Sequence, residues 1–294
     1  MNKIFYTLIV MILGIAVPLT AVDDPWPIWE PWPAIEGTIK VLLSTKDPKE
    51  TFITIEGPHT LINLVDRTVL GKSSCAASYS FALAKDGIRW YRMHYVESTG
   101  ENKPGYYDKK GYYVADDGRR VDEILLWPNH PIIFLVDGKP YAGWMYFCKK
   151  ADTFHIINEV TIDDYVASIL SNEQYRGLTH PEAIKAAAIA ARTTALYQSK
   201  HSSPKQWAVD AKDVLYGDLL FLRQDAAFEY AMKDMGNRFM HAPEINGAPY
   251  SWFQKNGPGF PVAEIERMAK DGKNAEAILA SLCRDVKFFT TLKK

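Results

Sequence analysis

The chain has 294 residues, with 34 Lys and Arg against 35 Asp and Glu, a formal net charge of −1. Without a basic surplus it lacks the footprint of a nucleic-acid binder, and 47% hydrophobic content argues against disorder. The three cysteines, Cys75, Cys148 and Cys283, lie far apart and could close one bridge at most, and the seven histidines show no i, i+4 pairing. A disulfide framework, a metal site and a cofactor are therefore not expected.

At the amino terminus, Lys3 precedes an apolar run from Ile4 to Val17, then Pro18-Leu19-Thr20-Ala21 and the acidic pair Asp23-Asp24. Residues 1–21 read as a secretory signal cleaved after Ala21, or as an uncleaved anchor. The apolar run is shorter than the ~20 residues that span a membrane comfortably. In either case the rest of the chain is expected to be exported, to the periplasm or cell envelope, with membrane contact only through this segment. Residues 22–37 hold Trp26, Trp29 and Trp32 among four prolines. Proline removes donors and fixes φ, so this strap should be extended. Its tryptophans can pack on the next domain, sit at a membrane interface or stack on a ligand.

Residues 38–160 read as a β-rich domain. Thr38–Ser44, Phe52–Glu56, Ile88–Val96, Pro131–Val136 and Thr153–Val160 are short and rich in Ile, Val, Phe, Tyr and Thr. Asp86-Gly87, Asp117-Gly118 and Asp137-Gly138 are turn signals between such runs. The last should join 132–136 directly to 141–147.

From 161 to 294 the pattern turns helical. Thr161 is a good N-cap, Asp163 and Asp164 suit the positive end of a helix, and Ile162, Val166, Ile169 and Leu170 form a stripe. A second helix should start near Pro181 and run through alanine-rich chain to Tyr197, with further helices over Asp225–Met235, Val262–Lys270 and Asn274–Leu282. The fold class is α+β, with a β-rich first part built of hairpins and a helix-rich second part carrying the cleft.

Glu173 is the first candidate for chemistry. It lies four residues after Ile169, so a continuing helix would aim its carboxyl along the apolar stripe, where desolvation favours the proton-donating form. A helix ending at Asn172 would leave it an ordinary solvated group. Arg192, in the alanine-rich helix, must find an anion or carbonyls, as a ligand contact or as a structural tie. Gly257-Pro258-Gly259 is a turn or a weak ligand loop. No GxSxG, Walker loop or HExxH occurs.

Asn158-Glu159-Val160-Thr161-Ile162-Asp163-Asp164-Tyr165-Val166, then Glu173, then Pro181-Glu182-Ala183-Ile184-Lys185-Ala186 through Ala190-Ala191-Arg192-Thr193 resemble the stage II sporulation protein D family. Its members carry N-V-P-L-E-D-Y-L, a glutamate, and P-E-A-L-K-A-Q-A-V-A-A-R-T-Y-A-L. Tyr141-Ala142-Gly143 is similar to the family's Y-R-G hairpin, Trp207–Gly217 with Asp210 and Tyr216 to its D-x-x-D-x-x-x-Q-x-Y-x-G segment, and Lys255-Asn256-Gly257-Pro258-Gly259 to its G-H-G-V-G loop.

The resemblance implies a lytic transglycosylase that cuts peptidoglycan between N-acetylmuramic acid and N-acetylglucosamine during wall remodelling or division, with Glu173 as catalytic glutamate. It also implies that Arg192, Asp210 and Tyr216 support or line the cleft, and that Asn256, Gly257 and Gly259 bind substrate there. The implied partners are denuded glycan strands and amidase or division proteins. Departures from the pattern are Gln174-Tyr175 in place of Met-Pro, Val214 in place of Gln, Asn256 in place of His, and the lack of the cysteines that hold a metal cluster in some members. A catalytically silent glycan-binding or assembly module is the alternative.

Overall fold

The computed structural model describes residues 37–44, 50–96, 106–113, 121–129, 133–201, 207–214, 216, 225–241, 252–253, 259–283 and 285–290. The signal segment and the strap up to Glu36, Asp117-Gly118, and Asn256 and Gly257 lie outside them.

Among the described residues, β1 (Thr38–Ser44), β3 (His59–Asn63), β4 (Thr68–Ser73), β8 (Glu123–Pro128), β11 (Trp144–Lys150), β12 (Thr153–Thr161) and β13 (Val209–Asp210) form one sheet. Its order is β13-β1-β12-β11-β8-β3-β4. A second sheet holds β2 (Glu50–Ile55), β5 (Ala77–Ala84), β6 (Gly87–Val96), β7 (Tyr106–Tyr113), β9 (Phe134–Val136) and β10 (Lys139–Tyr141), in the order β10-β9-β2-β5-β6-β7. A ribbon pairs β14 (Arg238–His241) with β15 (Lys287–Thr290). The helices are α1 (Ile162–Leu170), α2 (Pro181–His201), α3 (Ala226–Met235), α4 (Val262–Lys270) and α5 (Ala275–Leu282). Strands thus dominate the first half and helices the second, the α+β arrangement expected from the sequence.

The two sheets face one another across an apolar core. In β2, Thr51, Ile53 and Ile55 are buried while Phe52 is exposed, the alternation a one-sided strand needs. The rings of Phe81 on β5 and Phe147 on β11 stack at 3.9 Å between centroids and join the sheets. Toward its β1 and β12 end, the same face of the first sheet receives the helices: Ile39, Val41 and Val160 share the core with Val166 and Ile169 of α1 and with α2. In α2, Ala186, Ala187, Ala190 and Ala191 are fully buried, and their small side chains let neighbouring elements come close. The parallel pairing of β13 with β1 returns the helical part of the chain to the edge of that sheet.

One strand departs from expectation. The run 141–147 is not continuous: Asp137-Gly138 joins β9 to the short β10, and the chain then crosses at Ala142-Gly143 into β11 of the other sheet. Gly143 has φ +84°, and a Cβ there would lie 2.1 Å from the Glu159 carbonyl oxygen, so the corner is open to glycine alone. An Asp-Gly turn reports a local reversal and carries no information about a change of sheet one strand later.

Candidate functional site

Thr161 caps α1 as expected, its hydroxyl accepting from the Asp164 amide at 3.1 Å. The helix stops at Leu170, and the Ser171 hydroxyl folds back onto the Ala167 carbonyl at 2.7 Å. Asn172 then caps a single 3-10 turn, Glu173–Tyr175, by accepting from the Gln174 amide at 3.3 Å. This change of helical period corrects the expectation that Glu173 lies in an apolar wall. Its side chain is 86% exposed, with Oε1 3.7 Å from Arg176 Nη1, itself 57% exposed. Tyr175 takes the inward direction instead and is 1% exposed. Burial pushes its phenol up to about 12, so it is a neutral peg.

The turn is held from below by the C-terminal part of the chain. The Tyr175 ring meets Phe253 at 5.6 Å, Phe253 stacks on Phe260 at 5.2 Å, and Trp252 meets Phe260 edge-on at 5.4 Å. A Cβ on Gly177 would come within 3.2 Å of a Val262 methyl on α4. Beyond the fully buried Leu178, Glu266 of α4 accepts from the Thr179 hydroxyl at 2.6 Å, the Thr179 amide at 2.9 Å and the His180 amide at 3.1 Å. Lys270 Nζ approaches the same carboxylate to 3.2 Å.

Burial works to raise the Glu266 pKa, but these four donors outweigh it and bring it from 4.5 down to about 2. A carboxylate depressed in the folded state contributes fully above its unfolded value and progressively less as pH falls toward the folded one. Unfolding free energy is therefore expected to drop between about pH 4.5 and 2, by on the order of 2 kcal/mol. Urea titrations of the wild type beside Glu266→Gln check this, since the variant lacks that component.

The other candidates lie elsewhere. Arg192 is 5% exposed and donates to the Asp163 carboxylate at the start of α1 and to the Gly236 carbonyl after α3. It is a structural tie among three helices, in place of the implied cleft lining: its Nη1 and Nη2 are engaged by Gly236 and Asp163, while its buried Nε has no hydrogen-bond partner. Arg192→Ala is expected to lower unfolding free energy by about 2 kcal/mol, because the packing of a buried side chain and its ties to Asp163 and the Gly236 carbonyl are lost together. Denaturant midpoints should shift while affinity for glycan stays unchanged.

Tyr216 is buried too, stacked between Tyr141 at 6.1 Å and Tyr165 at 5.6 Å, with its hydroxyl donating to the Asn158 side chain. Asn158 in turn donates to the carbonyls of Ala142 at 2.8 Å and Trp144 at 3.1 Å. Tyr141, Asn158 and Tyr216, with the Ala142 and Trp144 carbonyls, thus secure the sheet-to-sheet corner, and Tyr216 supports the fold rather than lining a cleft. Asp210 lies on the edge strand β13, accepts from the Lys212 amide at 3.1 Å and pairs with Lys212 Nζ at 2.9 Å, which closes a local turn. Gly259 is exposed with φ +77° and open space at its Cβ position. It belongs to the segment that carries Phe260 beneath Glu173.

Sequence reasoning missed Tyr175, Phe253, Phe260 and Glu266. The last had a legible signal, a lone carboxylate beside Ile265, Met268 and Ala269 on the buried side of α4. Among the described residues no group of three His, Cys, Asp or Glu side chains could hold a metal ion. The cysteines are free; burial pushes Cys148 up to about 12 and Cys283 to about 11, so neither is a thiolate at neutral pH.

The protein is therefore of the α+β class, presenting an exposed acidic turn at the junction of α1, α2 and α4. Residues 150–233 match the model of the stage II sporulation protein family, SpoIID. It is similar to an uncharacterized protein of Chlamydia pneumoniae, 26% identical over 260 residues, 86% of this chain and 82% of that one. An uncharacterized protein of Chlamydia muridarum is 30% identical over 51% of this chain and 50% of its own length. One from Brachyspira hyodysenteriae is 41% identical over 85 residues, 27% of this chain and 23% of its own. No solved structure matches the chain. Similarity to this family suggests a cell-wall-related function, and the family is typically associated with the cell envelope. No helix among the described residues is long and apolar enough to cross a membrane.

Proposed function

We propose that this protein is exported to the cell envelope and cleaves peptidoglycan glycan strands as a lytic transglycosylase, with Glu173 as its single acid and base. What supports this reading is the place of Glu173 inside the stretch that matches the SpoIID family, on a backbone anchored by Tyr175 and by Glu266. A long polysaccharide can reach such a group without entering a closed pocket. Sugar lying over the turn would exclude water from the reacting atoms.

The neutral carboxyl protonates the glycosidic oxygen between N-acetylmuramic acid C1 and N-acetylglucosamine. As that bond breaks, the carboxylate accepts the proton of the muramyl C6 hydroxyl, whose oxygen closes onto C1. The product is a 1,6-anhydro end. One carboxyl suffices because the nucleophile is part of the substrate and no water has to be activated. Denuded strands are the expected substrate, so an amidase that strips stem peptides is the expected upstream partner.

A second reading, a catalytically silent glycan-binding or assembly module, is favoured by the exposed ion pair of Glu173 with Arg176 and by the engagement of Arg192 and Tyr216 in scaffolding. Mass spectrometry of products from denuded glycan decides between them. Anhydro-muropeptides from the wild type and none from Glu173→Gln support the enzyme. Binding to sacculi without any product supports the silent module.

A further inference from the structure

The loop from Ser171 to His180 is the only covalent link between the end of α1 and the start of α2, and it carries Glu173. A helix leaves its first amides without partners inside the helix, and nature usually supplies a Ser, Thr, Asp or Asn at the cap itself. At α2 the cap position is His180, followed by Pro181, and the His180 ring accepts from the Glu182 amide at 3.3 Å. The donors just upstream, the amides of Thr179 and His180 and the Thr179 hydroxyl, all turn to one carboxylate 86 and 87 residues away, Glu266. The local bond from the Glu182 amide to His180 holds the start of α2 without regard to the rest of the fold. The distant carboxylate makes the path of the loop depend on the docking of α4. The neighbouring contacts run the same way: Gly177 closes on Val262, and Tyr175 sits on Phe253.

We infer that Glu266 is a positioning residue for Glu173, clipping the catalytic loop to α4 so that the acid is presented at a fixed height and angle, without itself touching the glycan. This rests on the reading of Glu173 given above. Charge-assisted bonds to two amides and a hydroxyl restrain the backbone at 179–180 more tightly than packing alone. Misplacement of a reacting group by about 1 Å is enough to cost ~100-fold in rate. The clip also explains a lone carboxylate among the buried residues of α4, where an apolar side chain would otherwise be favoured.

The test compares Glu266→Ala, Glu266→Gln and Lys270→Ala with the wild type on denuded glycan strands, together with amide hydrogen exchange over residues 173–180. For Glu266→Ala a fall in kcat of about 10- to 100-fold is expected with KM within roughly 2-fold, because orientation is lost and binding area is not. The Thr179 and His180 amides should exchange at least about 10-fold faster while thermal unfolding stays cooperative. Glu266→Gln, which keeps one acceptor oxygen, should recover part of both effects. Lys270→Ala, which removes only an exposed partner, should leave both as in the wild type. Wild-type exchange at Thr179 and His180 in Glu266→Ala, or a loosened loop with undiminished kcat, overturns the role of Glu266 alone. Absence of product from the wild type sinks the reading of Glu173 and this one with it.

Discussion

Replacing Glu173 by glutamine is expected to reduce the release of 1,6-anhydro-muropeptides by about 10²- to 10⁴-fold, the span that general acid–base catalysis supplies. One group serves as acid for the leaving oxygen and then as base for the muramyl hydroxyl, so the loss should fall at the upper end of that range. Glutamine keeps the shape and one acceptor oxygen but can neither give nor take a proton at neutral pH. The same substitution should leave stability untouched. The carboxyl is in solvent, and its contact with Arg176 at 3.7 Å is too long and too exposed to hold the fold. Product yield by mass spectrometry and a melting curve on the same sample separate the two effects. A variant that melts early and is inactive would carry no catalytic information, whereas one that melts with the wild type and yields nothing would. Full product release by Glu173→Gln would leave the carboxyl without a role.

Substituting Gly143 by alanine should be the most destabilising single methyl in the protein's β half, at about 4 kcal/mol or roughly 10 °C in Tm. Two costs add. A positive φ of +84° strains any L-residue, and the new Cβ would meet the Glu159 carbonyl oxygen at 2.1 Å, a backbone atom that cannot rotate away. Relief requires β11 and β12 to separate where Trp144 pairs with Glu159. Separation there also pulls on the Asn158 side chain, which bonds the Ala142 and Trp144 carbonyls, and through it on Tyr216. Gly138 is the control. Its φ is +82°, but nothing lies within 4 Å of a Cβ there, so Gly138→Ala carries the backbone strain alone, about 1 kcal/mol. Thermal melts of the two variants side by side isolate the steric component. Equal shifts would show that the corner is able to relax.

Much of the helical half was readable from short stretches of chain. Thr161 caps α1, Asp225 caps α3 by accepting from the Phe228 amide at 2.9 Å, and Asn274 caps α5 by accepting from the Ala277 amide at 2.8 Å. Pro181 opens α2 at the residue its missing donor suits. Each of these is a bond or constraint spanning three or four residues, so the residue types alone carry it. The strands read less cleanly: β1 and β12 match their expected spans within a residue, but a hairpin read as continuous from 132 to 147 turned out to be two elements in two sheets. Tyr141-Ala142-Gly143 was legible as a motif and illegible as a corner, because the clash that demands glycine comes from Glu159, sixteen residues on.

The site divides in the same way. Sequence by itself marked Glu173 and the alanine-rich helix after it, since a carboxylate four residues after Ile169, on the continuation of an apolar stripe, is a local pattern. Whether that carboxyl pointed inward or outward depended on where α1 stopped, and a 3-10 turn capped by Asn172 sent Tyr175 inward in its place. The fates of Arg192 and Tyr216 were set by partners 29 and 58 residues away, and the anchorage of the loop by Glu266 at 87. Those distances lie beyond any helical or strand period. Only the folded chain, by packing α4 beneath the loop and the sheet corner against Tyr216, decides which polar groups are consumed in holding the structure and which one is left facing solvent.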